Sequence, residues 1–559
     1  MPVSFVPPAS RLAALATATV LVLAGCSSGT DEPDGPPSES PSTTAGPTAP
    51  AADAPLRIDT TSGTWRGTVD DGVRRFRGVR YAEPPTGERR WALPEPAPDT
   101  DEVRDATASG ASCPQAGGAG GGIALAQGST DEDCLFVEIT TPRTEDDAPW
   151  PVVVWWHGGG FTSGAASQYD ARRLAEQGHV AVVTVNYRLG MLGYLGLPGL
   201  KGSGNFGLAD QLLALRWARE NAAAFGGDAE NVTVYGESAG ATSTCAALTS
   251  PAAEGLIDRA IFSSGSCRLA WPKGTLFPGL PASRSLIPLA TSEAIGSGVA
   301  SDLGCRGARP LPCLRRQPVG ALLLQAPAFG NPLAYGTDLL PTDPATAIEQ
   351  GEVLQVPVIT GGNRDEHRSF IGGLLLTDPD AVTDANYASL VRTSFGPATR
   401  RVLRHYPLDA YDSAPLAWST LVTDVGWSCT TAHGATDLAA AGATVYAYEF
   451  ADRSAPDVSG VASSGLPQGA AHASDLPSFF DLGGRDLLAS EAQRRLGHTM
   501  IDYWTSFARD GVPTADDGPE WPETTPDRER VLRLDTDSVA VAPFARDHQC
   551  GLWDSLGLT

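Results

Sequence analysis

The stretch Val232-Thr-Val-Tyr-Gly-Glu-Ser-Ala-Gly-Ala-Thr242 decides how the rest of this sequence is interpreted. Its β-branched start, residues 232–234, predicts a short buried strand, and residues 241–248 predict a helix. The segment Gly236-Glu-Ser-Ala-Gly240 between them predicts a sharp turn, because its glycines lack the Cβ atoms that would clash there. A strand, a G-x-S-x-G turn and a helix form the setting in which a serine hydroxyl stands above a sheet as a nucleophile. A serine that merely occupies a glycine turn is the alternative, and other segments must decide between the two.

The segments around this stretch alternate between predicted strands and helices. Residues 151–156 and 180–187 are predicted core strands, and the unbroken apolar run of the first indicates a buried parallel strand. A helix is predicted to begin near Gly204 and to stop at Gly226, with Asp210 in its first turn, where negative charge suits the helix dipole. Its apolar residues recur at helical spacing: Leu208, Leu212, Leu215, Ala222 and Phe225. Together with a predicted strand at 259–264, this alternation predicts an α/β fold with a mostly parallel sheet.

Charge and cysteine content limit the classes of protein that fit. A formal net charge of −25 disfavours nucleic-acid binding, which needs clustered Lys and Arg. The nine cysteines have no C-x-x-C spacing, so neither a zinc site nor a thioredoxin-like motif is indicated. Oxidised pairs outside the cytoplasm fit this pattern better.

The first 55 residues predict an exported protein with a tether. An apolar run at residues 12–23 is too short to span a bilayer but has the length of a signal-peptide core. It ends in Leu23-Ala-Gly-Cys26, which resembles the lipobox of bacterial lipoproteins and implies a signal peptide at 1–25 and lipidation of Cys26; an ordinary secretory signal is the alternative. Residues 26–55 are rich in Ser, Pro and Thr and predict a disordered tether. We therefore expect an extracytoplasmic protein, either secreted or held at the bacterial cell membrane only through its lipid anchor.

A second glycine-rich segment follows the strand predicted at 151–156. His157-Gly-Gly-Gly-Phe161 leaves backbone N–H groups free to point into a cavity, which is how an oxyanion hole is built. A flexible turn is the alternative reading of three glycines. Upstream of a nucleophile turn, the oxyanion interpretation is favoured.

Three longer motifs resemble the type-B carboxylesterase family, which includes the cholinesterases. They are Glu132-Asp-Cys-Leu135, Gly204-Asn-Phe-Gly-Leu-Ala-Asp-Gln211 and Asn231-Val-Thr-Val-Tyr-Gly-Glu-Ser-Ala-Gly240, and the resemblance extends with gaps from about residue 64 to 553. It implies the α/β-hydrolase fold, a mostly parallel central sheet flanked by helices, for residues 56–559. It also implies a Ser–Glu–His triad in that chain order, with Ser238 as the nucleophile and neither metal nor organic cofactor.

The acid and the base should follow later strands of the sheet, since open α/β sheets place their sites at strand carboxyl ends. A strand predicted at 356–360 leads into Gly361-Gly-Asn-Arg-Asp-Glu-His367, in which Glu366 matches the acid of the family and Asp365 is its adjacent competitor. His367 stands where the family usually has glycine, so the alternatives there are an altered turn or a second titrating group near the site. A strand predicted at 444–450 precedes Gly469-Ala-Ala-His-Ala-Ser-Asp-Leu-Pro477, which resembles the histidine segment of the family and makes His472 the base.

The mechanism implied is acyl transfer to Ser238, with the oxyanion held by N–H groups of Gly159, Gly160 and Ala239. The expected substrate is a small-molecule ester with a short or medium acyl chain, and a long-chain, lipase-like preference is an alternative. No aromatic residue lies between Cys113 and Cys134, so a cation-binding tryptophan of the cholinesterase type is missing there. A family member that has lost catalysis and serves in binding or adhesion is the alternative from another class. The sequence leaves the oligomeric state open.

The resemblance also implies three disulfides. The pairs are Cys113 with Cys134, Cys305 with Cys313, and Cys429 with Cys550. Cys245 and Cys267 are left over, either free or paired with each other, and their spacing cannot decide.

Overall fold

A computed structural model describes residues 56–70, 72–117, 127–143, 149–330 and 333–559. The predicted signal peptide (1–25), the tether (26–55) and Cys26 lie outside these ranges. Within them, no helix has the length and apolar character needed to cross a membrane.

A single large sheet organises the described chain. Its thirteen strands are β1 (Leu56–Thr60), β2 (Gly63–Asp70), β3 (Val73–Arg80), β4 (Val103–Asp105), β5 (Phe136–Pro142), β6 (Trp150–Trp156), β7 (Ala181–Val185), β8 (Gly227–Glu237), β9 (Arg259–Ser263), β10 (Val358–Asn363), β11 (Val445–Phe450), β12 (Val531–Leu534) and β13 (Val539–Ala542). Three further two-stranded pairs lie outside it, among them Ala270–Trp271 with Ser283–Arg284.

The strand order confirms the predicted α/β-hydrolase architecture. Along the sheet it is β1-β2-β3-β5-β7-β6-β8-β9-β10-β11-β12-β13, with β4 paired to β2. The six central strands from β7 to β11, and β12 after them, are parallel to one another, whereas β5 pairs with β7 and β13 pairs with β12 in antiparallel fashion, as do most of the strands beyond β5. All the carboxyl ends of the central strands therefore open on one edge, where the loops that follow them can meet.

Both faces of the central strands are buried. In β6, Val152, Val154 and Trp156 pack into one hydrophobic cluster, whereas Val153 and Trp155 pack into a second cluster on the other face. This alternation is the period of two of a β-strand, and it explains why the sequence of β6 is apolar throughout. A third cluster, the cap cluster, surrounds Trp418 and Trp553 and lies apart from the two sheet clusters.

Helices flank the sheet and contribute residues to the cap cluster. They are α1 (Arg172–Gly178), α2 (Gly190–Tyr194), α3 (Phe206–Asn221), α4 (Ala239–Ala247), α5 (Leu289–Asp302), α6 (Leu311–Arg315), α7 (Val319–Leu323), α8 (Pro344–Glu349), α9 (Arg368–Thr377), α10 (Tyr387–Phe395), α11 (Thr399–His405), α12 (Ala414–Val422), α13 (Cys429–Ala440), α14 (Glu491–Asp510), α15 (Phe544–Asp547) and α16 (Cys550–Asp554). A π-helix, Thr423–Ser428, joins α12 to α13.

The expectation that Asp210 serves the dipole of α3 is wrong. The first turn of α3 holds no acidic residue, and Asp210 lies further along the helix with its side chain fully buried. Its carboxylate receives both Nε and Nη2 of Arg188 at 2.7 Å, together with the backbone N–H of Arg188 at 3.0 Å. Asp210 therefore serves as the buried partner of Arg188, which lies on the loop after β7. Helical periodicity cannot reveal a partner on another element.

Four disulfides close loops of the described chain. Three of them join the pairs that the resemblance implied: Cys113–Cys134, Cys305–Cys313 and Cys429–Cys550. The fourth joins Cys245 to Cys267, so the question that spacing left open is answered by proximity in the fold.

The buried Arg188–Asp210 pair gives a prediction about stability. Asp210→Ala leaves a buried guanidinium without its carboxylate, which costs about 3–5 kcal/mol of unfolding free energy. Glu176→Ala removes an exposed ion pair with Arg172 and should cost less than about 1 kcal/mol. Urea-induced unfolding, followed by tryptophan fluorescence, measures both changes, and equal stability of the two variants would contradict the assignment.

Candidate active site

The turn at Ser238 is tightly constrained by its surroundings. β8 ends at Glu237 and α4 begins at Ala239, with Ser238 between them at φ 56° and ψ −117°. A positive φ is costly for a residue with a side chain, and such strain recurs at catalytic turns. The helix begins two residues before the predicted start, because the reversal is complete at Ser238 itself.

Ser238, His472 and Glu366 are brought together although they are far apart along the chain. Nε2 of His472 lies 2.8 Å from Oγ of Ser238, and Nδ1 lies 2.6 Å from Oε2 of Glu366. The other carboxylate oxygen of Glu366 accepts the backbone N–H of Asn363 at 2.7 Å. The loop of His472 is fixed to the acid loop, since the Asn363 side chain donates to the carbonyl of Ala471 at 2.8 Å.

Asp365, the competing acid, faces away from the hydrogen bonds that join Ser238, His472 and Glu366. Its carboxylate accepts Nε of Arg453 at 3.0 Å and contacts Nη2 of Arg368 at 2.7 Å. It also accepts the backbone N–H of Ala470 at 3.1 Å. Asp365 therefore ties the acid loop to the histidine loop, and Glu366 is the carboxylate in contact with His472.

His367 does not titrate as a second group near neutral pH. The side chain is fully buried, and burial lowers the pKa of His367 to about 3. Its ring stacks on Phe370, with centroids 5.2 Å apart, and its Nδ1 accepts Nε1–H of Trp427 at 3.4 Å. The residue in the usual glycine position thus acts as a neutral aromatic.

The glycine loop at 157–161 lies beside the nucleophile. A Cβ at Gly158 would be 2.9 Å from Cβ of Ser238, so the backbones approach closely there. The carbonyl of His157 accepts the hydroxyl of Tyr187 at 2.6 Å, and the two rings stack with centroids 4.4 Å apart. Gly159 and Gly160 have φ of 100° and 59°, which favours glycine at both positions. Ala239 begins α4, where backbone N–H groups have no partner within the helix.

Two further buried carboxylates surround His472. Oε1 of Glu237 lies 3.3 Å from Nε2 of His472, and burial raises the pKa of Glu237 to about 8. Burial and the charge of Glu366 raise the pKa of Asp475 to about 6, although its carboxylate accepts bonds from Asn363 and Tyr448. Burial also disfavours the imidazolium of His472, but Glu366 and Glu237 outweigh that effect and raise the pKa of His472 to about 9.

Sequence reasoning missed Glu237, Asp475 and the aromatic neighbours of the base. Glu237 occupies the variable position of G-x-S-x-G, so the motif carries no signal for it, although a buried acid inside the motif is itself unusual. Rings of Trp427 and Phe370 lie with centroids 4.9 and 5.2 Å from that of His472. Trp427 lies in the π-helix, which no sequence pattern indicated. Within the described ranges, no cluster of His, Cys, Asp and Glu could hold a metal ion.

Comparison with known proteins places this geometry in a family. The model of the Carboxylesterase family matches residues 54–553. The chain is 33% identical over 497 residues to para-nitrobenzyl esterase of Bacillus subtilis (strain 168), covering 86% of this chain and 95% of that protein. It is 33% identical over 516 residues to fumonisin B1 esterase of Sphingopyxis macrogoltabida, covering 86% of each. A solved structure of a thermophilic PNB esterase superposes with a TM-score of 0.72 at 28% identity, covering 89% of this chain and all of that one.

The chain belongs to the carboxylesterase family and is a carboxylic ester hydrolase. The resemblance drawn from the sequence motifs is thereby confirmed over nearly the whole described chain.

The tight turn gives a prediction about Gly240. A Cβ there would lie 1.9 Å from the carbonyl oxygen of Trp156, and neither backbone can move without disturbing β6 or α4. We expect Gly240→Ala to lose both activity and several degrees of thermal stability, measured by circular dichroism. Gly298→Ala is the matched control, because this exposed glycine of α5 has open space around its Cβ, and alanine there should stabilise the helix by up to about 1 kcal/mol. Wild-type stability of Gly240→Ala would contradict the packing described.

Proposed function

We propose that this enzyme hydrolyses small-molecule carboxylic esters through an acyl-enzyme on Ser238. The observation that carries the proposal is the unbroken line of hydrogen bonds from Glu366 through His472 to Ser238. A hydroxyl becomes a useful nucleophile only when an adjacent base takes its proton, and the base must be held in the right tautomer. Both requirements are met by these contacts.

The steps follow from the positions of these groups. His472 takes the proton of Ser238 as Oγ attacks the ester carbonyl, and Glu366 stabilises the imidazolium. The N–H groups of Gly159, Gly160 and Ala239 would receive the negative oxygen of the tetrahedral intermediate, a contribution typically worth roughly 10²–10³ in rate per donor. His472 then gives its proton to the leaving alcohol. Water activated by His472 releases the acid and restores Ser238.

The surroundings of the base favour an ester with apolar groups. Trp427 is almost fully buried beside His472, and Phe370 is half-buried next to it. The named relatives are a para-nitrobenzyl esterase and a fumonisin B1 esterase, which supports ester hydrolysis. A series of p-nitrophenyl esters of increasing acyl length distinguishes a short- or medium-chain esterase from an enzyme with a lipase-like preference.

We further propose that residues 1–25 are a signal peptide, that Cys26 is lipidated and that 26–55 tether the domain at 56–559 outside the cytoplasm. Four disulfides in the described chain support an oxidising compartment.

Replacement of the nucleophile tests the proposed function. Ser238→Ala should lower kcat on the order of 10⁶-fold, as removal of a triad serine does elsewhere, without unfolding the chain. Ser243→Ala is the matched control, because Ser243 lies on the same helix, is fully buried and its hydroxyl makes no hydrogen bond. An organophosphate should label the peptide containing Ser238 in the control only. A Ser238→Ala enzyme that keeps a tenth of its activity would exclude the proposed mechanism.

The carboxylates around His472 predict an unusual pH profile. Only the neutral imidazole can take the proton of Ser238, so kcat/KM should increase with pH. The midpoint of this rising limb should lie above 6.5, the ordinary histidine pKa, and below about 9. Glu237→Gln removes one of the carboxylates that raise the pKa of His472, so the limb should move to lower pH. Glu230→Gln, at an exposed position of β8, should leave the limb where it is. A limb at or below 6.5 in the wild type would contradict this account.

A further inference from the structure

His548, between α15 and α16, is a buried histidine that the mechanism does not use. Its Nδ1 lies 2.6 Å from Oδ1 of Asp424, and its Nε2 lies 2.7 Å from Oε1 of Glu449. Ionised carboxylates only accept hydrogen bonds, so an imidazolium, which donates from both ring nitrogens, is the form of His548 that satisfies both contacts, although burial raises the pKa of Asp424. Burial disfavours that charge, but Asp424 and Glu449 outweigh it and raise the pKa of His548 to about 9.

The two carboxylates are themselves held by other elements. Asp424 accepts the hydroxyl of Tyr406 at 2.7 Å. Glu449, near the end of β11, accepts Nε of Arg533 at 2.5 Å and Nη1 of Arg364 at 3.1 Å. Two further acids and one ion pair surround these groups. Asp547 pairs with Arg533 at 2.7 Å. Glu529 and Asp554 lie nearby, and burial raises the pKa of Glu529 to about 7. Through Asp424 and Glu449, His548 therefore connects the π-helix to β11 of the sheet within a compact network of alternating charges.

The π-helix is the part of this network that reaches the catalytic base. Asp424 is its second residue, and Trp427, three residues on, packs its ring 4.9 Å from that of His472. Thr423, its first residue, accepts the backbone N–H of His367 at 3.0 Å, directly beside Glu366. A π-helix is a rare and unfavourable backbone register that persists only where tertiary contacts hold it. Asp424 supplies one such contact to the C-terminal segment, beside the Cys429–Cys550 bridge at the residue that follows the π-helix.

We propose that His548 is a positioning residue for ester hydrolysis, acting through Asp424 on the π-helix that holds Trp427 and the acid loop against His472 and Glu366. The proposal rests on the triad proposed above. It adds that the orientation of the base depends on a side chain in the C-terminal segment that does not contact the triad. Without the imidazolium, Tyr406 is the one hydrogen-bonding partner that buried Asp424 keeps among the described residues, and the hydrogen-bonded link from the π-helix through His548 to β11 is lost.

The test is a cycle of two substitutions. His548→Gln should lower kcat for p-nitrophenyl butyrate between about 10-fold and 100-fold, since small misplacements of a catalytic group have effects of this size, with KM changed much less. Trp427→Phe should lower kcat as well. If His548 acts through the π-helix, the double variant should lose much less than the product of the two single effects.

His433→Gln is the matched control, because His433 also pairs with a carboxylate of the C-terminal segment, Asp554 at 2.8 Å, but at the surface. It should keep wild-type kcat and KM. A folded His548→Gln enzyme with kcat within twofold of the wild type, or effects of His548→Gln and Trp427→Phe that multiply fully, would overturn the proposal.

If His548→Gln does not fold, Asp424→Asn provides the same test, since asparagine keeps the size of the side chain and removes the carboxylate charge that faces His548. An Asp424→Asn enzyme with wild-type kcat would equally overturn the proposal. Failure of the triad itself would appear separately, as activity retained in Ser238→Ala.

Discussion

Hydrogen bonds run from Glu366 through His472 to Ser238. They require three loops, each of which follows a different strand, to meet within bonding distance above the sheet. Parallel strands make this possible, because their carboxyl ends open on the same edge. The rest of the described fold maintains this meeting point. Asn363 and Asp365 bond the acid loop to the histidine loop, and Tyr187 fixes the glycine loop beside the nucleophile.

His472 lies among several buried carboxyl groups, and mutual repulsion of buried negative charges favours protonation of some of them. Burial raises the pKa values of Glu237 and Asp475, so both carboxyls hold protons more readily than an exposed acid does. Glu366 accepts the backbone N–H of Asn363 and contacts Nδ1 of His472. Two carboxyl groups with raised pKa values therefore lie around the imidazole that Glu366 holds.

Local patterns were enough to predict the strand, turn and helix around Ser238, since apolar periodicity and paired glycines act over a few residues. Motif context also predicted Ser238, Glu366 and His472 as the members of the proposed triad, although only proximity in the fold separates Glu366 from Asp365. The missed features all depend on partners distant in sequence. Asp210 was assigned to a helix dipole because Arg188 lies on another element, and the π-helix at Thr423–Ser428 has no sequence signature. Burial of Glu237 could not be inferred from a position that its motif leaves free.

The cap cluster has a consequence for the order in which the protein matures. It combines Trp271, from the middle of the chain, with Leu552 and Trp553 of the last helix, and the Cys429–Cys550 bridge closes over it. During synthesis the sheet around Ser238 can assemble early, whereas the packing behind the imidazole of His472 cannot close until residues 550–553 have emerged. A nascent polypeptide that does not yet include them therefore lacks the packing behind the proposed catalytic base.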